Sequence, residues 1–288
     1  MSLPSSEAQC RTSTARRYAI VSMISDNVIG LGATFIASLR ETLPQDIQID
    51  LILFTHPTAV PLSQTNRTLI SHIFPQVIFH EADASFLTEE NTRLDKFVGR
   101  DVAVSTKQAP FLKFNLFKLQ GYDGVLWLDS DMLAIRNFTE IFRLPHDICV
   151  VRSGNSMDDA HFGVAVEKKA KFNAGTMLYR SSVLTQDTFS KLLVLLNDRT
   201  NFILRDQPLL NALFRQQMKF FLPHAYNWKL TYTETGWADE DLALKCAKII
   251  HFQGSNKWHL ADSASSSPLA RRFHELRTRY DIPLILNP

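Results

Sequence analysis

The first half of the chain alternates short apolar runs with amphipathic stretches. The apolar runs are rich in Val, Ile, Leu and Phe and predict buried strands over residues 18–24, 49–55, 76–80 and 124–128. The stretches between them carry apolar positions at helical spacing, and a Pro or Gly closes each of the helices predicted over residues 30–43, 62–74 and 113–119. This rhythm predicts an α/β fold with a mostly parallel sheet flanked by helices on both faces.

The second half has shorter elements and a polar, irregular stretch over residues 153–171. We predict strands over residues 147–151, 176–179, 219–222 and 248–252, and helices over residues 183–196, 207–214 and 269–280. The chain therefore divides into a flexible leader (1–17), a single α/β domain (18–262), and a linker with a C-terminal helix (263–288). In open sheets of this kind, ligands bind beyond the carboxyl ends of the strands.

Composition narrows the class of protein. The 31 basic and 29 acidic residues leave a net charge of +2, which argues against binding nucleic acid through bulk charge. No apolar run reaches the length of about 18 residues that a transmembrane segment needs. The first 17 residues are polar, so we expect no signal peptide and a cytoplasmic location. Cysteines lack Cys-x-x-Cys spacing, and Cys149 and Cys246, within apolar runs, are predicted to be buried.

The first candidate site follows the fourth predicted strand, where an apolar run ends in Asp129, Ser130 and Asp131. In a strand, residues i and i+2 point to the same face, so the two carboxylates lie together. Desolvating two unpaired charges is costly, and a divalent cation with oxygen ligands removes that cost. The alternative to a metal site is that Asp129 and Asp131 begin a solvated loop. Asp239 and Asp241 share the spacing, but their polar surroundings favour a solvated helix start.

A second polar cluster follows the last predicted strand and contains His251, Gly254 and Lys257. An imidazole that joins two carboxylates suits Mn²⁺ better than Mg²⁺ or Ca²⁺. Gly254 lets the backbone approach a ligand, and Lys257 supplies a point charge of the kind that holds phosphate oxygens. Alone, His251 is better explained as a hydrogen-bonded core histidine, and only the carboxylate pair makes it a candidate third ligand.

Two further segments have simpler structural explanations. Asn173 and Gly175 precede a predicted strand, and both residue types are ordinary choices for a turn. Asp206 can cap the helix that follows it, with Pro208 in the first turn. For Asp206, the sequence supports helix capping and a role in a functional site equally.

In chain order these segments resemble the retaining glycosyltransferases of family 8, the glycogenin-like group. The resemblance runs from residue 18 to about residue 258. Its five markers are Asp-x-Asp after an apolar strand, Asn-x-Gly, Asp-Gln-x-x-Leu-Asn, Leu-Pro-x-x-Tyr-Asn and His-Phe-x-Gly-x-x-Lys. It implies a single nucleotide-sugar-binding domain of the GT-A type that moves a hexose from a UDP-sugar with retention of configuration, using Mn²⁺, with Mg²⁺ as a substitute.

The resemblance also implies roles for individual residues. Asp129, Asp131 and His251 resemble the metal ligands. Two residues are implied as catalytic: Asp206 as a nucleophile, or Gln207 as a group whose amide oxygen stabilises a positive sugar ring. The residues that resemble donor contacts are Met23, Ser25, Asp26, Lys113, Ser130, Asn173, Gly175, Gly254 and Lys257.

The chain departs from the glycogenin-like pattern at three positions. Ile29 stands where a Tyr usually covers the nucleotide, and Trp258 stands where a Pro usually follows the lysine. The offset of Tyr232 does not match the self-modified tyrosine, so we do not expect self-glucosylation. The sequence leaves open which sugar is donated, whether the acceptor is a carbohydrate, a lipid or a protein, and whether the protein forms a homodimer.

Two alternative functions compete with this interpretation. A phosphohydrolase of the haloacid-dehalogenase type also has Asp-x-Asp at a strand end, but it requires Thr where Leu133 stands. A nucleotide-sugar-binding protein without turnover would share the fold, although the intact ligand set argues against it. Phosphatase assays and UDP-sugar consumption distinguish these alternatives.

Overall fold

The structure is a computed structural model, and it describes residues 16–45, 47–88, 109–154, 165–198, 206–233, 236–261 and 267–285. Most of the predicted leader, the centre of the loop expected at 153–171 and most of the predicted linker lie outside these ranges.

A mixed sheet of eight strands forms the centre of the fold, in the order β3-β2-β1-β4-β8-β6-β9-β7. The strands β3, β2, β1 and β4 run parallel, and β8 joins β4 in the antiparallel direction. The strands are β1 (Tyr18–Met23), β2 (Ile49–Thr55), β3 (Val77–Glu81), β4 (Gly124–Leu128), β6 (Ile148–Arg152), β7 (Ala165–Glu167), β8 (Phe172–Arg180) and β9 (Lys219–Leu222). The predicted sheet is confirmed.

Smaller strands lie beside this sheet. The strands β5 (Met132–Ala134), β10 (Trp228–Lys229) and β13 (Ile249–His251) form a three-stranded sheet in the order β10-β13-β5. A separate pair joins β11 (Tyr232–Thr233) to β12 (Gly236–Trp237).

Helices cover both faces of the large sheet. They are α1 (Ile29–Thr42), α2 (Gln64–Ile73), α3 (Gln186–Asn197), α4 (Asp206–Leu213), α5 (Glu240–Cys246) and α6 (Pro268–Arg279). The stretch predicted as a helix over residues 113–119 is a 3-10 helix, Lys113–Lys118, that continues a helical turn at 109–112. Such 3-10 segments are common where an α-helix ends. None of the helices in the described ranges is long and apolar enough to cross a membrane.

The alternation of side chains along each strand divides the core into two layers. Along β1, Ile20 packs with α1 on one face, whereas Ala19 and Val21 pack with the aromatic residues of the 109–118 segment on the other. Helix α6 joins the first layer through Phe273, and both Arg272 and Arg279 bind Glu41 of α1. The central strands β1 and β4 are thus buried on both faces of the sheet.

Two local expectations were wrong. Asn173 and Gly175 lie in β8 and not in a turn, because β8 keeps pairing with β6 beyond the register shift between Val150 and Val151, with Asn173 opposite Val151. Cys246 is exposed, since α5 ends there and turns its last residues to solvent, whereas Cys149 is buried as expected. Asp239 and Asp241 lie at the start of α5, as the sequence indicates.

We expect Gly30→Ala to release the C-terminal segment over residues 282–285. A Cβ on Gly30 would lie 2.6 Å from the carbonyl oxygen of Pro283 and 2.8 Å from the backbone nitrogen of Ile285, and backbone atoms cannot rotate aside. Overpacking of this kind costs about 1–3 kcal/mol. Limited proteolysis should show faster cleavage near the C-terminus in Gly30→Ala.

Gly32→Ala is the matched control, because it gains the same helix propensity on α1, while the three atoms nearest its Cβ all belong to the side chain of Ile24 and none to the C-terminal segment. Equal cleavage rates in the two variants would contradict the prediction.

Candidate active site

A cleft of about 440 Å³ opens at the carboxyl ends of β1 and β4. Ligand pockets usually fall between about 300 and 1,000 Å³, so the size fits a small molecule. Most of the predicted site residues line this cleft: Met23, Lys113, Asp129, Ser130, Asp131, Asn173, Gly175, Asp206, Gln207, His251, Gly254 and Lys257. The other lining residues are Val28, Leu31, Pro110, Trp127, Ala174 and Gln253.

Strand pairing brings His251 to the two aspartates. After β4 ends at Leu128, the chain turns through Asp129 and Asp131 and enters β5, which pairs antiparallel with β13. Met132 lies opposite His251 in that pairing, and the backbone N–H of Phe252 donates to the carbonyl of Asp131 at 2.9 Å. The pairing register of β5 and β13 therefore brings the imidazole next to the two carboxylates.

The three predicted metal ligands lie close enough to share one ion. The Nε2 atom of His251 lies 3.2 Å from Oδ1 of Asp131 and 4.0 Å from Oδ2 of Asp129. One ligand atom from each residue lies within 4.8 Å of the others. Ions such as Mg²⁺ and Zn²⁺ hold oxygen and nitrogen ligands at about 2.0–2.2 Å, which places neighbouring ligands at such separations. The donor set fits a divalent cation.

Each carboxylate offers one oxygen to His251 and has the other held by different groups. The Oδ1 atom of Asp129 accepts from Nε1 of Trp127 at 2.7 Å and lies 3.1 Å from Nζ of Lys113. The Oδ2 atom of Asp131 lies 3.0 Å from Nζ of Lys257. The remaining oxygens point toward one place beside His251, as a shared cation requires.

The charges around Asp131 favour its ionised form. Burial raises the pKa of this carboxyl, but the opposing effects of His251 and Lys257 are larger and lower it well below its usual value. A carboxylate ligand must be deprotonated to bind a metal, so this environment prepares Asp131 for that role.

Lys113 connects the two ends of the cleft. Its side chain is buried, and Nζ lies 2.5 Å from Oδ2 of Asp206, 3.1 Å from Oδ1 of Asp129 and 3.0 Å from the carbonyl of Ala174. The ammonium also lies 4.9 Å from the centre of the Trp127 ring. Burial opposes its charge, but Asp129 and Asp206 outweigh burial and raise the pKa of Lys113. This lysine stays charged at neutral pH.

The two residues implied as catalytic stand side by side at the start of α4. The carboxylate of Asp206 binds Lys113. The amide oxygen of Gln207 accepts from Nδ2 of Asn173 and from the backbone N–H of Ala174, both at 3.1 Å. Side-chain hydrogen bonds therefore tie α4 to β8 and fix both residues at the wall of the cleft.

Two of the predicted donor contacts do not line the cleft. Ser25 and Asp26 follow β1, and the carboxylate of Asp26 accepts from the backbone N–H of Ser63 at 2.9 Å and from Nδ2 of Asn66 at 2.8 Å. It thereby anchors the start of α2. Ile29 is buried in the core, and the apolar wall near Met23 is built by Val28, Leu31 and Pro110.

Sequence reasoning missed Trp127 and Asn227. Trp127 lies two residues before Asp129, and this i, i+2 spacing on one strand face was a usable signal. Asn227 lies in the Leu-Pro-x-x-Tyr-Asn marker, and its Oδ1 lies 2.9 Å from Nδ1 of His251. That contact joins residues 24 positions apart, so no local pattern indicates it.

Comparisons with known proteins agree with this geometry. The sequence model of glycosyl transferase family 8 matches residues 20–261. Among curated proteins, none matches the chain by sequence.

Solved structures of glycosyltransferases share the fold. The galactosyltransferase LgtC, solved with donor and acceptor sugar analogues, is 17% identical with a TM-score of 0.66, covering 91% of this chain and 95% of LgtC. GlyE of Streptococcus pneumoniae TIGR4 is 18% identical with a TM-score of 0.62, covering 91% and 60%. The bifunctional WbbM is 16% identical with a TM-score of 0.60, covering 92% and 52%, so this chain spans about half of WbbM. The fold is of the GT-A type.

Proposed function

The chain belongs to glycosyl transferase family 8, and on that premise we propose that it transfers a hexose from a UDP-sugar to an acceptor with retention of configuration. One observation carries the proposal: the cleft brings together three carboxylates, an imidazole and two lysines. A nucleoside diphosphate with a divalent cation has the charge and the ligand chemistry that such a set binds. Family membership favours this function over the phosphohydrolase alternative.

We assign the diphosphate end of the donor to Asp129, Asp131, His251 and Lys257. The first three would hold Mn²⁺, which as a Lewis acid would neutralise charge on the departing diphosphate. Lys257 adds a second positive charge at the same end, because its ammonium lies 3.0 Å from Oδ2 of Asp131. Gly254 adopts a φ of +63°, which favours glycine, and so gives the backbone the turn that places Lys257 at the cleft.

We assign the sugar end to Asp206, Gln207 and Lys113. Breaking the bond to the anomeric carbon leaves an oxocarbenium-like ring that a nearby negative or electron-rich group stabilises. Both lone pairs of the Gln207 amide oxygen accept hydrogen bonds, from Asn173 and Ala174. This favours Asp206 as the stabilising carboxylate or nucleophile, and Lys113 holds Asp206 in place through the 2.5 Å salt bridge.

A panel of UDP-sugars with Mn²⁺, and water as the only acceptor, tests the proposal. Release of UDP from one donor is expected, and a chelator should stop it because the ligand set is incomplete without a cation. The same sugars on GDP serve as the control for the nucleotide.

Failure to consume any UDP-sugar, together with release of phosphate from a generic phosphate ester, would favour the phosphohydrolase. Tight binding of a UDP-sugar without turnover, in the presence of broad acceptor mixtures, would favour the binding protein.

A further inference from the structure

A chain of side-chain amides leads from Gln207 through the buried residues Asn173 and Asn227 to His251. Asn173 donates through Nδ2 to the amide oxygen of Gln207 at 3.1 Å, and Asn227 donates through Nδ2 to Oδ1 of Asn173 at 2.7 Å. The Oδ1 atom of Asn227 then faces Nδ1 of His251 at 2.9 Å. Asn227 is fully buried, so water does not replace these partners.

Two backbone N–H groups fix the direction of this chain. The N–H of Gly175 donates to Asn173 at 2.9 Å, and a backbone N–H can only donate, so the atom facing it is the oxygen of Asn173. That oxygen requires the NH₂ group of Asn227 as its other partner, which turns the Asn227 oxygen toward His251. The N–H of Ala174 orients Gln207 by the same logic, since it donates to Oε1 at 3.1 Å.

The orientation of Asn227 decides which nitrogen of His251 carries a proton. Because Asn227 presents only an acceptor, Nδ1 of His251 must donate and therefore holds the proton. The Nε2 atom then faces Asp131 at 3.2 Å and Asp129 at 4.0 Å. A nitrogen lone pair and a carboxylate oxygen repel at such a distance unless a proton or a cation lies between them.

Gly175 leaves the space that the imidazole occupies. A Cβ on Gly175 would lie 2.6 Å from Cε1 and 2.9 Å from Nδ1 of His251. The ring is therefore confined on one side by the backbone of β8 and at its Nδ1 edge by Asn227. Only Nε2 remains to face the two aspartates.

We propose that Asn227 is a positioning residue that commits Nε2 of His251 to the divalent cation. The proposal rests on the metal site of the proposed function, but it concerns cation binding and not sugar transfer. Hydrogen bonds from the second nitrogen of a ligating histidine set its tautomer and ring orientation, and their loss typically weakens metal binding about 10–100-fold. Asn173 and Gly175 support the same arrangement.

Titration of the purified protein with Mn²⁺ alone, without donor, tests the proposal. Asn227→Leu keeps the approximate shape and removes both hydrogen bonds, and it should weaken Mn²⁺ binding about 10–100-fold. At saturating Mn²⁺ the variant should recover most of its turnover with an active donor. Asn115→Leu is the matched control, because Asn115 is also buried and bonds to Asp83 and Leu112, and none of these three residues lines the cleft. It should lower thermal stability without changing Mn²⁺ affinity.

Wild-type affinity for Mn²⁺ in Asn227→Leu would overturn the proposal. If that variant does not fold, NMR of the imidazole nitrogens in the wild-type protein decides, with His251→Gln used to assign the signal. A proton on Nδ1 that is protected from exchange is expected, and an unprotonated Nδ1 would overturn the proposal. A protein that binds Mn²⁺ in this way but consumes no UDP-sugar would leave the inference standing and remove the proposed transfer.

Discussion

Asp131→Asn is expected to abolish Mn²⁺-dependent release of UDP while the fold stays intact. The asparagine keeps the size of the side chain but loses the charge that faces His251 at 3.2 Å and Lys257 at 3.0 Å. A metal ion supplies several kcal/mol of charge stabilisation, and each ~1.4 kcal/mol is tenfold in rate, so we expect a loss of about 10³-fold or more. Initial rates of UDP release at fixed Mn²⁺ measure the effect.

Asp241→Asn is the control for this experiment, because Asp241 belongs to a second Asp-x-Asp sequence that lies exposed at the start of α5. It should retain full activity. Circular dichroism checks the fold of both variants. Undiminished turnover in Asp131→Asn would remove Asp131 from the metal site.

Lys113→Met is expected to lower both stability and activity strongly. Methionine keeps the apolar stem but removes the buried cation that lies 2.5 Å from Asp206 and 3.1 Å from Asp129. Breaking a buried ion pair leaves an uncompensated charge and typically costs about 3–5 kcal/mol. Urea unfolding should show a loss of that size, and UDP release should fall because Asp206 is no longer held.

Lys118→Met is the matched control, since Lys118 lies on the same 3-10 helix and pairs with Asp83 at 2.6 Å, but both side chains are partly exposed. Exposed pairs contribute about 0–1 kcal/mol. The double variant Lys113→Met, Asp206→Asn should recover part of the lost stability. If Lys113→Met is no less stable than Lys118→Met, the buried ion-pair account is wrong.

The fold and the first carboxylate pair could be predicted because their signals are local. The apolar run over 124–128 coincides with β4, and its end places Asp129 and Asp131 at the cleft. Hydrophobic periodicity indicates which face of a strand or helix each residue occupies. Because both faces of the sheet are buried at its central strands, these strands appear in the sequence as continuous apolar runs. The sheet and the carboxylate pair at the end of β4 therefore follow from short segments of sequence.

The rest of the site depends on contacts between distant segments. His251 was a candidate third ligand from its position at a strand end, but it reaches the aspartates through the pairing of β5 with β13, which no local pattern indicates. Gly175 approaches His251 because the register of β8 shifts against β6, which no spacing of residues reveals. Ser63 and Asn66 engage the carboxylate of Asp26, and no local spacing indicates these two contacts. Long-range register and competition for hydrogen bonds decide these outcomes.

Anomalous diffraction from crystals soaked with Mn²⁺ and UDP would show whether Asp129, Asp131 and His251 bind the cation. We expect one manganese peak within coordination distance of the Asp129 and Asp131 carboxylates and Nε2 of His251, with the UDP phosphates bound to the same ion. Bound UDP with manganese located elsewhere, or with no manganese beside these three residues, would contradict it.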